Sequence, residues 1–105
     1  MNELLAWFQA QNASARTYGT LASRALNMVE AGHADAAAFR LIGDQAMRFF
    51  LKYEDEPLFV EEGTHAFEVM TNILHLVAKL HDGTDAEQIA ILNQIAKADL
   101  IMRNK

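Results

Sequence analysis

The chain predicts an all-α fold, an antiparallel up-and-down four-helix bundle, on three observations. Eighteen alanines, with many Leu, Met, Gln and Glu residues, favour helix from end to end. No stretch alternates apolar and polar residues with the period of a strand. One proline and five glycines are too few for the many turns of a sandwich or barrel. The 105 residues, 51% hydrophobic and 22% charged, are enough to bury a core and are read as one domain, 1–105.

Four helical segments follow from the punctuation, at about 3–30, 35–54, 57–81 and 85–102. Asn2 is placed to cap the first and Gly32 to stop it. Leu4, Phe8, Ala15, Ala22, Leu26 and Val29 align as its inner face, and Gly19 is the expected place for a kink or split. In the second segment Phe39, Ile42, Ala46, Phe49 and Tyr53 share a face, opposite a charge ladder of Arg40, Asp44 and Arg48. Pro57 suits the first turn of the third segment, and Glu61 and Glu62 suit its positive end. Phe59, Ala66, Met70, Ile73, Val77 and Leu80 form its apolar stripe. Asp82-Gly83 ends that segment, and Thr84-Asp85-Ala86-Glu87 reads as a capping box opening the fourth. Short connections make successive helices antiparallel neighbours.

The fourth segment carries two stripes. Ile89, Leu92, Ala96 and Leu100 make one, and Ile91, Ile95, Ala98 and Met102 make another nearly opposite. A helix at the edge of a monomeric bundle needs one apolar face, so the second implies a cover, and a second copy of the chain is the expected one. Trp7, Leu21 and Met28 add a stripe beside the core face of the first segment. The expected homodimer interface is therefore Trp7, Leu21, Met28, Ile91, Ile95, Ala98 and Met102, and a charge placed at Ile95 is expected to dissociate it.

Charge and targeting signals narrow the function classes. The 9 Lys and Arg against 14 Asp and Glu give a net charge of −5, and no basic cluster is present to displace counterions from a nucleic acid. MNELLAWFQAQN has an early acid and a short apolar run, unlike a signal peptide, and no apolar run reaches membrane-spanning length. The expected location is cytoplasmic, without membrane or nucleic-acid partners. No cysteine is present, which removes disulfides, thiolate metal sites and a thiol nucleophile.

Glu62 is the sharpest chemical candidate. On a continuous third helix it projects within about 20° of Ile73, at the middle of the apolar face. With His65 it reads E-x-x-H, a spacing used in di-iron carboxylate bundles, which need a second such motif and two more inward glutamates. The other instance, Glu30-Ala31-Gly32-His33, straddles a helix end, so no metal site and no cofactor is expected. Antiparallel threading brings Gln11, Tyr53, Glu62, His65 and Arg103 to one end, where they would hold a small polar ligand or move a proton. The plainer reading has Glu62 pointing to solvent there, paired with Arg103 or His65. His75 is read as a solvated surface residue and His81 as a cation at a helix end. Ser14 and Ser23 lack a nucleophile elbow, and no phosphate-binding glycine loop occurs. Met28, Met47, Met70 and Met102 are read as adaptable core filler. Residues 29–37, VEAGHADAA, resemble the turn between the helices of a tetratricopeptide repeat, but the pattern does not recur along the chain.

The functional expectation is a small non-enzymatic protein acting through protein–protein contacts as a homodimer: a regulator, adaptor or chaperone-like accessory protein. The alternative is a small-molecule-binding or enzymatic helical bundle with a partly buried Glu62 as its polar anchor.

Overall fold

A computed structural model describes residues 2–32 and 35–102, and all its regular structure is helical. The helices are α1 (Asn2–Gln9), α2 (Ala15–Glu30), α3 (Ala36–Tyr53), α4 (Val60–Ala78) and α5 (Asp85–Lys97), with a 3₁₀ turn at Leu80–Asp82. α2 and α3 form the central hairpin and run antiparallel, since Gly19 faces Phe50 and Gly43 faces Leu26. α1 lies on α4, while α5 packs on α3 and, more lightly, on α4.

The first predicted segment is two helices, and the break falls at residues 10–14 instead of Gly19. Asn12, Ala13 and Ser14 lie between them, and short polar side chains offer the backbone alternatives to a helical ladder. The Gln11 amide donates to the Trp7 carbonyl at 3.1 Å, and the Thr17 hydroxyl donates to the Asn12 carbonyl at 3.0 Å. Gly19 sits inside α2 for a different reason: a Cβ there would lie 3.1 Å from Cδ1 of Phe50, so its lack of a side chain sets how closely α2 meets α3.

The break resets the helical phase, and with it the inner face of α2. Tyr18, Leu21, Ala22 and Ala25 are all fully buried, at the i, i+3, i+4, i+7 spacing of a core stripe. Leu21, expected at an interface between copies, is therefore part of the chain's own core. Gly32 ends α2 with φ +75°, donating its N–H to the Val29 carbonyl at 3.1 Å. α3 buries the expected face of Phe39, Ile42, Ala46, Phe49 and Tyr53.

α4 starts at Val60, after Pro57, and its inner stripe is buried from Ala66 to Val77. Phe59 departs from that stripe and is 66% exposed. The capping box of α5 forms as read: the Glu87 N–H donates to Thr84 Oγ1 at 3.2 Å, and the Thr84 N–H to Glu87 Oε1 at 2.9 Å. α5 stops at Lys97, not near 102. The Asp99 carboxylate accepts the Ile101 N–H at 3.0 Å, turning the chain so that Leu100 reaches the core. Ala98 and Met102 thus lie beyond the helix whose second stripe they were expected to extend.

The two stripes of α5 exchange roles. Ile95 is fully buried against α3, Ile91 is half-buried against the core, and Ile89 of the other stripe is 59% exposed. The Gln45 amide supports this choice by donating to the Ile95 carbonyl, which also accepts the Ala98 N–H at the end of α5. Ile95 is accordingly a core residue and not a contact with a second copy.

Aromatic rings link the helices in series. Phe67 of α4 stacks on Phe8 of α1 at 4.8 Å, and Phe8 meets Tyr18 of α2 edge-on at 5.7 Å. Tyr18 lies 4.4 Å from Phe49 of α3, and Phe49 lies 4.7 Å from Tyr53. Such pairs add about 0.5–1.5 kcal/mol each beyond the area they bury.

Two substitutions test this packing. The Tyr18 hydroxyl is buried with no hydrogen-bond partner among the described residues, so Tyr18→Phe removes a desolvation cost and is expected to raise unfolding free energy by about 1 kcal/mol in urea titrations. Ile95→Glu is expected to lower it by about 3 kcal/mol, as a charge forced into the core does, and to free α5 in amide exchange.

Candidate functional site

Tyr53 and Glu62 meet where α3 ends and α4 begins. Tyr53 closes the buried face of α3, and its hydroxyl donates to Glu62 Oε2 at 2.7 Å. Glu62 occupies the third position of α4, and its Oε1 accepts the Phe59 N–H at 3.1 Å. Phe59 is the N-cap residue but has no side-chain acceptor, so only the reciprocal half of a capping box forms. Gly63 beside them lies close to the 10–14 link: a Cβ there would be 3.1 Å from the Ala13 carbonyl oxygen.

The bond is asymmetric in its proton. The Tyr53 hydroxyl, and next the Phe59 N–H, hold the Glu62 carboxyl below its ordinary range. Burial first, then the hydrogen bond to Glu62 and the charges of Glu62 and Glu56, push Tyr53 up to about 12. Both shifts keep the proton on the tyrosine around neutrality. The arrangement is a hydrogen-bonded tie between two helices, and its two members are poor partners for proton exchange at neutral pH.

Gln11 and His65, also expected at this site, hydrogen-bond to backbone carbonyls. The Gln11 amide closes the end of α1 on the Trp7 carbonyl. His65 donates from Nε2 to the Asp99 carbonyl at 3.1 Å, pinning the segment after α5 to α4. Arg103 lies outside the described residues, as does His33, and the side chain of His81 is likewise outside the description. Glu62 and His65 thus face different partners, and among the described residues no three His, Asp, Glu or Cys side chains gather as a metal would require. His75 is exposed.

Of the residues expected at an interface, Leu21 and Ile95 are buried in the chain's own core. Trp7 is half-buried with the Arg24 guanidinium 4.4 Å from its ring centre, and Met28, Ile91, Ala98 and Met102 are half-buried.

A groove of about 700 Å³ between α2 and α3 was not foreseen. Small residues of α2 line one wall, namely Ala15, Gly19, Thr20 and Ser23, and Met47, Phe50 and Tyr53 of α3 line the other. Arg16 and Glu54 also line it. A signal was present: Met47, Phe50 and Glu54 follow helical spacing beside the core stripe of α3. The groove reaches Tyr53 from the hairpin side while Glu62 holds the same residue from α4.

Comparison with protein-family models, with curated proteins and with solved structures finds no match to this chain.

Acid and alkali should both loosen this end. A depressed carboxyl such as Glu62 stabilises the fold above the ordinary carboxylate pKa of 4.5, and that contribution is lost as pH falls through the lower folded value. The raised Tyr53 acts in the opposite sense, its contribution present below pH 10.0 and lost as pH rises towards about 12. Tyr53→Phe is expected to lower stability at pH 7 and to flatten the acid limb of a stability–pH curve measured by urea denaturation.

Proposed function

We propose that this chain is a non-enzymatic helical protein of the cytoplasm that works through protein–protein contacts, as an antiparallel bundle that forms a homodimer. The observation that carries the reading is the adjacent pair Phe59 and Val60, 66% and 84% exposed at the start of α4. Two large apolar side chains, adjacent in sequence and exposed to water, form the kind of surface that protein partners cover. Leu51 and Ile89, 60% and 59% exposed, add apolar surface elsewhere.

The contact differs from the one expected from the two stripes of α5, because Leu21 and Ile95 are already used inside the chain. A small-molecule reading draws support from the groove, whose volume falls within the range typical of ligand sites. Glu62, the anchor in that reading, already accepts one hydrogen bond at each oxygen, from Tyr53 and from the Phe59 N–H.

Light scattering across a range of protein concentrations tests the homodimer. The expected mass is twice 11.7 kDa. A mass that stays at the single-chain value at the highest concentration overturns the dimer.

A further inference from the structure

We propose that the α2–α3 groove binds a small zwitterion with an apolar body, a free apolar α-amino acid, with its carboxylate at Arg16 and its ammonium at Glu54. The proposal deepens the small-molecule reading of the groove and is independent of the homodimer.

Each wall of the groove is a stripe on one helix face. Arg16, Thr20 and Ser23 follow the i, i+4, i+7 spacing on α2, and Met47, Phe50 and Glu54 follow i, i+3, i+7 on α3 and just past its end. The two helices run antiparallel, with Gly19 opposite Phe50 and Leu26 opposite Gly43. That register places Arg16 across from Glu54 at one end of the groove, and Ser23 across from Met47 at the other.

The charges at that end select the head of the ligand. Arg16 and Glu54 are both exposed, and among the described residues neither forms an ion pair, with the other or with a third side chain. An anion drawn to Arg16 meets the Glu54 carboxylate, and a cation drawn to Glu54 meets the Arg16 guanidinium. A molecule that carries both signs side by side satisfies both walls at once. A free α-amino acid holds its carboxylate and ammonium on one carbon, whereas a peptide separates them by the length of its chain.

The rest of the groove suits an apolar body. Phe50 lies against Gly19, and the Phe50 ring and the Met47 side chain present half-buried apolar surface beyond the charged end. The volume of about 700 Å³ falls within the range of ligand sites and leaves room for an aromatic side chain. Methionine adapts to side chains of different shape, so the groove discriminates by the head group more than by the body.

The test pairs ligand groups with side chains. L-phenylalanine, phenylalanine amide (no carboxylate) and phenylpropionate (no ammonium) are titrated into the isotope-labelled full chain, and amide chemical shifts report the residues that respond. L-phenylalanine is expected to shift Gly19, Thr20, Met47 and Phe50 with a dissociation constant on the order of 1 mM. An exposed charge contact contributes up to about fivefold in affinity, so each analogue is expected to bind about fivefold more weakly. In Arg16→Gln the difference between phenylalanine and its amide is expected to vanish while the difference from phenylpropionate stays, and in Glu54→Gln the reverse. Both positions are exposed and outside any ion pair of the described structure, so the fold tolerates the changes. Equal binding of all three compounds at the groove overturns the zwitterion and leaves the small-molecule reading standing. A preference for phenylalanine that survives both substitutions overturns the assignment to Arg16 and Glu54. No shift at the groove with any of the three, up to their solubility limits, overturns the zwitterion and the small-molecule reading together.

Discussion

The fold depends on a closed circuit of aromatic contacts. Phe67 of α4 leads through Phe8, Tyr18 and Phe49 to Tyr53, and the Tyr53 hydroxyl returns to α4 at Glu62. α1 is only eight residues long, too short to persist as a helix in water, so Phe8 between two rings, buried Leu4 and Trp7 under Arg24 hold it in place. The circuit joins the first four helices in a ring. It also explains why Tyr18 is tolerated with an unpartnered hydroxyl: the ring is wanted at the centre more than the oxygen is unwanted there.

The hairpin of α2 and α3 gives the circuit its frame, and two glycines set the spacing. A Cβ at Gly43 would lie 2.8 Å from Cδ2 of Leu26, and one at Gly19 would press on Phe50. Close approach along the hairpin leaves Met47 and Phe50 beside small α2 residues, and the groove is the space that no side chain among the described residues fills. α5 is attached more sparingly, through Ile95, the Gln45 amide and the segment held by His65.

How far the candidate site could be read from the sequence follows from these contacts. Tyr53 and Glu62 were placed at one end together, because a buried face on α3 and an acid in the first turn of α4 are both local patterns. His65 and Gln11 were assigned there too, yet each is taken by a backbone carbonyl. Side-chain amides and imidazoles find such acceptors at helix ends, and neither spacing nor periodicity encodes which one. The groove needed α2 and α3 in register, which a single helical wheel does not contain.

Helix content, the end of α2 at Gly32, the core face of α3 and the capping box of α5 are determined by the sequence alone, because each arises within a few residues of chain. Which stripe of α2 and of α5 faces inward was decided by the tertiary structure. The 10–14 link resets the phase of α2, and Gln45, fifty residues away, supports the Ile95 face of α5. Helical periodicity marks that two stripes exist; only packing between distant segments determines which one is buried.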